Sequence, residues 1–133
     1  MGMSNRSTSK AKARELSRVD LLEQCRVKLL EEKQNLLNGI KALGAALSTQ
    51  ITGDEADMAA AVKQQSTSLI HREKLLLKVT EIDRALQRLE TGMFGVCEET
   101  EEPIEPERLL AIPWTRLSIT GAEIRERQQK KFA

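Results

Sequence analysis

Two long stretches with helical apolar spacing, separated by one short break, constrain this chain more than any other feature. Between Ser17 and Gln50 there is no proline, and Leu22, Cys25, Leu29, Leu36, Ile40, Leu43 and Leu47 recur three, four or seven residues apart. That spacing puts them on one face of a helix. After the break Ser48-Thr49-Gln50-Ile51-Thr52-Gly53 a second stripe follows, Leu75, Val79, Ile82, Leu86 and Leu89, preceded by Met58, Val62, Leu69 and Leu76. Each segment has about 33 residues, roughly 50 Å of helix at 1.5 Å per residue. A joint this short folds the second helix back on the first as an antiparallel hairpin. In a chain of 133 residues such a hairpin is expected to project as a rod. Large apolar residues are sparse beside the break (Ala59, Ala60, Ala61, Gln64, Gln65), which argues against a strong dimer seam there, so a monomer is expected. Gly39 and Gly44 each cost about 1 kcal/mol against alanine and would let a partner helix approach closely. Cys25, on the stripe, reads as a buried, inert thiol.

Composition removes several function classes. Aromatic residues make up 2% (Phe94, Trp114 and Phe132), too few for a base-stacking surface. A net charge of +1 argues against binding nucleic acid through bulk charge, and no sequence-specific DNA binding is expected. Two cysteines and one histidine exclude a disulfide scaffold and a complete four-ligand Cys/His zinc site. No apolar run approaches the roughly 18–20 residues of a membrane span, and the N-terminus does not read as a secretory signal, so a cytoplasmic location is expected. Residues 1–16 read as a flexible basic tail, with Arg6, Lys10, Lys12 and Arg14 against Glu15. His71 lies in mid-helix and no nucleophile–base grouping can be assembled, so the chain does not read as an enzyme.

The break continues into Gly53-Asp54-Glu55-Ala56-Asp57-Met58-Ala59, three carboxylates at the end of the expected rod. Asp54 or Asp57 suits a helix cap, worth about 0.5–2 kcal/mol. Capping does not require three acids, and an acidic tip also suits a basic channel or a metal ion held by another molecule. At the other end, Gly92-Met93-Phe94-Gly95-Val96-Cys97 opens a compact segment. It is rich in Glu98, Glu99, Glu101, Glu102, Glu105 and Glu107, read as a solvated acidic loop in preference to a weak cation site. Residues 122–131 read as a short exposed helix, with Gly121 before it and Glu123 and Glu126 in its first turn.

Phe94-Gly95-Val96-Cys97 resembles the opening of the small four-cysteine zinc finger of the DksA/TraR family of RNA polymerase-binding transcription factors. Forty residues earlier, Asp54-Glu55-Ala56-Asp57-Met58-Ala59 is similar to that family's tip pattern, Asp-x-x-Asp-x-Ala. Two motifs at that separation are far more specific than either alone, and the resemblance covers about residues 17–131. It implies a mainly α fold: a long antiparallel coiled-coil hairpin (17–91, tip near 48–58), then a small zinc-finger-like module with a short C-terminal helix (92–133). It implies a factor that binds RNA polymerase through the secondary channel and modulates initiation through open-complex stability. Asp54, Asp57 and Ala59 would be the effector residues of the tip. The family's four zinc-ligand positions correspond here to Cys97, Thr100, Ser118 and Gly121. Hydroxyls are poor zinc ligands and glycine has none to offer, so no zinc is expected. Cys97 is then a remnant, and Val96, Ile104, Leu109, Leu110, Ile112, Trp114, Leu117 and Ile119 remain to hold the module. Three positions that contact the stringent-response alarmone guanosine tetraphosphate in better-known members are Glu81, Ile112 and Ala122 here, none basic. Only the neighbouring Lys74 and Lys78 would offer phosphate contacts, and alarmone sensitivity is doubted. The alternatives are a Gre-like transcript-cleavage-type channel factor, and a structural coiled-coil adaptor.

Overall fold

The structure is a computed structural model, which describes residues 17–48 and 55–132. The basic tail, and the break with Asp54, lie outside the described residues. The elements are α1 (Arg18–Ser48), α2 (Glu55–Thr91), α3 (Pro106–Ala111) and α4 (Ile119–Phe132). Among the described residues the only β pairing is an isolated antiparallel bridge between Val96 and Pro103. The chain is therefore mainly α, a coiled-coil hairpin with a small zinc-finger-like module and a C-terminal helix, as expected. No helix of the described residues is long and apolar enough to cross a membrane.

Local chemistry sets the helix ends. Ser17 caps α1: its Oγ accepts the Asp20 N–H at 3.2 Å and donates to Asp20 Oδ2 at 2.8 Å. Gly92 ends α2 in a left-handed conformation (φ 77°), and the Met93 N–H reaches back to the Arg88 carbonyl at 3.0 Å. This is the Schellman closure, open to glycine because it lacks a Cβ. Pro106 opens α3, where its missing N–H costs nothing.

The chain divides into two compact units, and α1 and α2 contribute to both. The unit Leu30–Asp83 is the two-helix part. Its buried and half-buried positions alternate three and four apart: Glu32, Leu36, Gly39 and Leu43 on α1, and Ala61, Gln65, Ser68, then Leu75, Val79 and Ile82 on α2. That is the seam of a coiled coil. The helices run antiparallel, since Lys33 Nζ meets Asp83 Oδ1 at 2.7 Å while Gly39 lies opposite Leu75. Close approach does not depend on either glycine. A Cβ on Gly39 would make ordinary contact with Leu75 at 3.5 Å, and one on Gly44 would meet nothing.

One reading of the sequence is corrected here. Met58, Val62, Leu69 and Leu76 do not extend the buried stripe; all four are exposed. Val62, Leu69 and Leu76 each follow a seam position by one residue, and one residue is a 100° turn away from the partner helix. The inward positions of this half are small or polar and carry no hydrophobic signal.

The other unit holds the chain up to Leu29 together with the chain from Arg84 onward. Cys25 and Leu29 of α1, Ala85 of α2, and Phe94, Cys97, Ile104, Leu109 and Pro113 of the module are buried. Burying a side chain such as Leu29 contributes about 1.5–3 kcal/mol. Cys25 donates to the Leu109 carbonyl at 3.6 Å. Burial raises its pKa to about 11 against the opposing charge of Lys28, which suits an inert thiol. Lys28 Nζ donates to the Leu110 carbonyl at 2.7 Å and so closes the C-terminal end of α3. Val96 and Ile119, expected in this core, are exposed. Val96 points out from the bridge with Pro103, and Ile119 is the first residue of α4.

Candidate functional site

Two short loops meet at Cys97, Thr100, Ser118 and Gly121, the positions that the resemblance sets against the family's four ligands. The first is a tight turn. Gly95, left-handed at φ 85°, presents its carbonyl to the Ile104 N–H at 2.7 Å. The Cys97 N–H reaches the Glu102 carbonyl at 2.8 Å, and the Glu101 N–H the Cys97 carbonyl at 2.9 Å. Glu101 adopts φ 61°, uncommon for a side-chain-bearing residue, to close the turn. Cys97 and Thr100 are carried on it. The second loop is the start of α4. Ser118 is its cap, with Oγ accepting the Gly121 N–H at 3.0 Å. The helix thus begins at Ile119 and not at Ala122 as expected, because Ser118 and not Gly121 provides the cap. Gly121 lies inside the first turn.

The structure brings the two loops into contact. The Ser118 hydroxyl donates to Cys97 Sγ at 3.4 Å, and Thr100 also hydrogen-bonds to Cys97. A Cβ built on Gly121 would lie 2.5 Å from Cys97 Sγ. The thiol therefore fills the space that a side chain at 121 would need. One thiol, two hydroxyls and a glycine are not a zinc donor set. Among the described residues no group of three or more His, Cys, Asp or Glu side chains is placed to hold a metal ion. The residues present do not fit the metal.

Burial of Cys97 opposes ionisation, but hydrogen bonds from Ser118 and Thr100 outweigh it and bring the pKa from 9.0 down to about 6. A thiol whose folded pKa is depressed adds stability above its unfolded pKa, and that stability is lost as pH falls through the folded value. Thermal stability should therefore decline from pH 9 towards pH 6, by at most about 4 kcal/mol for three units. Cys97→Ser should flatten that slope, as read by unfolding midpoints across the range.

Three glutamates of the acidic run, Glu98, Glu99 and Glu105, act as fasteners. Arg125 of α4 donates to Glu99 Oε2 at 3.1 Å and Glu98 Oε2 at 3.3 Å, and Arg116 lies 3.6 Å from Glu98. Glu105 Oε2 accepts the Ile119 N–H at 3.3 Å. Sequence reasoning treated these glutamates as a solvated loop, since their basic partners lie 18 to 27 residues away. The charge balance of α4 was the available signal.

At the other expected site, Asp54 lies outside the described residues. Asp57 falls in the first turn of α2, and Ala59 is exposed two residues later. Lys74 and Lys78 are exposed on α2, whereas Glu81, Ile112 and Ala122 are half-buried.

Comparison with known proteins adds to this geometry. Residues 92–127 match the family described as the prokaryotic dksA/traR C4-type zinc finger. The chain is similar to the RNA polymerase-binding transcription factor DksA of Caulobacter vibrioides, 34% identical over 82% of this chain and 78% of that one. An uncharacterized protein of Aquifex aeolicus is 36% identical, over 85% of this chain and 81% of the other. Among solved structures, the transcription factor DksA2 of Pseudomonas aeruginosa superposes with a TM-score of 0.81 at 29% identity, covering 92% of this chain and 98% of that one.

Proposed function

The chain belongs to the DksA/TraR family of RNA polymerase-binding transcription factors, and from that premise we propose that it regulates initiation from within the polymerase secondary channel. The unit around the module docks at the channel rim. The hairpin enters the channel, and Asp54, Asp57 and Ala59 reach towards the active-site region, where they shorten the life of open promoter complexes. The role of the aspartates is electrostatic and steric, without turnover. The observation that supports this reading most is the pairing of the tip pattern with the Phe94–Cys97 opening, forty residues apart, in a chain so similar to a named polymerase-binding factor. The protein acts as a cytoplasmic monomer, needs no sequence-specific DNA contact, and responds weakly or not at all to guanosine tetraphosphate, with Lys74 and Lys78 its only phosphate contacts.

Competition with a known channel-binding factor for polymerase tests the docking mode. Displacement of that factor, together with faster open-complex decay, is the expected result. Stimulated RNA cleavage in stalled complexes would instead assign the protein to the transcript-cleavage class. The module works without zinc. Elemental analysis of protein purified without chelator should find well under one equivalent, and a stoichiometric, tightly held metal would contradict this.

A further inference from the structure

The unit Leu30–Asp83 is unevenly filled along its length. At its Lys33–Asp83 end, Leu36 is 8% exposed, Val79 9% and Ile82 2%, and the 2.7 Å ion pair joins α1 to α2 beside them. Beyond Gly39 and Leu75, towards the break, none of residues 40–45 and 58–74 is buried. The described seam positions there are Leu43 on α1 and Ala61, Gln65 and Ser68 on α2, all half-buried. One large aliphatic side chain thus shares this seam with an alanine, an amide and a hydroxyl, so little apolar surface leaves water when it closes. Local helix strength does not make up the difference. Gly44 weakens α1, and a Cβ there would meet nothing, so the glycine gains no contact in return. On α2 the Ser66 and Thr67 hydroxyls donate to the Val62 and Lys63 carbonyls, each at 3.1 Å, four residues back on the same helix. Such bonds tie α2 to itself and weaken a helix slightly. Helical segments of roughly 12–15 residues or fewer are marginal in water without a packed face.

We propose that the half of the hairpin next to the break, residues 40–45 with 58–74, opens and recloses as one unit in the free protein while the Lys33–Asp83 half stays folded. The strong half imposes the weak one. α2 is a single continuous helix, so its rotation is set where Leu75, Val79 and Ile82 pack against α1. That phase leaves Val62 and Leu69 exposed and puts Gln65 and Ser68 in the seam. Turning α2 to bury Val62 and Leu69 would draw Val79 and Ile82 out of theirs. The two halves of one helix therefore favour different rotations, and the conflict is resolved in favour of the half with the larger buried side chains. Ala59 lies within the half that opens, so the free protein presents it in two states.

Native-state hydrogen exchange of the full chain, followed residue by residue by NMR at low denaturant, tests this. Amides of 40–45 and 58–74 should share one opening constant, at least about 100-fold larger than that of amides 76–82 and with a smaller dependence on denaturant. Gln65→Leu/Ser68→Leu fills the seam. It should lower the shared constant about tenfold more than Gln64→Leu/Thr67→Leu, closely matched changes in helix propensity at exposed positions. Ile82→Val, a conservative change that keeps the chain folded, separates the halves. It should raise the opening constant of amides 76–82 several-fold and leave that of 40–45 and 58–74 within about twofold of the parent. One opening constant common to both halves would overturn the proposal. So would protection that declines gradually towards the break, which is plain fraying, or an Ile82→Val variant in which both halves shift together. A seam-filled variant no different from its exposed control would overturn it as well.

Discussion

Asp54→Asn combined with Asp57→Asn should leave polymerase binding within about twofold of the parent and remove the effect on open-complex lifetime, to within about twofold of a reaction without the factor. The substitution is chosen to separate charge from shape. Asparagine is as good a helix cap as aspartate, so the change keeps the capping capacity of both positions. Removing an acidic side chain from a helix N-terminus costs only about 0.3–1 kcal/mol, too little to unfold the hairpin. What changes is two negative charges. In a water-poor site a charge a few ångströms from another is worth several kcal/mol, against about 1 kcal/mol in bulk water. A tenfold change in lifetime needs only about 1.4 kcal/mol. Ala59, exposed on α2, tests the steric part separately: a larger side chain there should alter the effect without altering the charge. Parent-like activity of the double asparagine variant, measured as decay of competitor-resistant promoter complexes, would refute the role given to the tip.

The sequence announced the α1 half of the hairpin because its seam is written in apolar residues: Cys25, Leu29 and Leu36 are all buried, as their spacing requires. The α2 half misled in its first turns for a physical reason. Gln65 and Ser68 face inward while Val62 and Leu69 face out, so the visible hydrophobic stripe marked an outer flank. Periodicity reports where apolar side chains are, and infers the partner face only when that face is the apolar one. In the module, Ile104 and Leu109 were legible as core. Cys97, Ser118 and Gly121 were legible only as positions that the resemblance sets against the family's ligands. Their new work, a capped helix start packed on a thiol, depends on two loops meeting, and no local pattern encodes that contact. The Arg125 clamp on Glu98 and Glu99 was hidden for the same reason.

The contact at Gly121 leads to the other large expected effect. Gly121→Ala would ordinarily stabilise a helix by about 1 kcal/mol. Here the added methyl would sit 2.5 Å from Cys97 Sγ, closer than such atoms approach, with Glu99 Cβ and Ser118 Oγ already in contact at 3.4 Å, so something must shift. Overpacking of that kind costs about 1–3 kcal/mol, and the melting temperature should fall by several degrees. The triple change Thr100→Cys/Ser118→Cys/Gly121→Cys meets the same obstruction without metal and also loses the Ser118 cap, worth about 1 kcal/mol. With zinc the arithmetic reverses. Four thiolates arranged about a central ion, each roughly 2.3 Å from it, are held apart by the metal, and structural zinc contributes apparent free energies of about 10–16 kcal/mol in small domains. The triple variant should therefore hold about one equivalent of zinc and melt well above its chelated form, whereas chelator should leave the parent's melting temperature unchanged. A parent destabilised by chelator would mean that Cys97 and the two hydroxyls do hold a metal after all. A triple variant that takes up no zinc would mean that the two loops no longer converge as ligand loops. The expected pair of results places the protein one glycine and two hydroxyls away from a metal-dependent fold, with the space freed at position 121 as the change that lets the module close on itself.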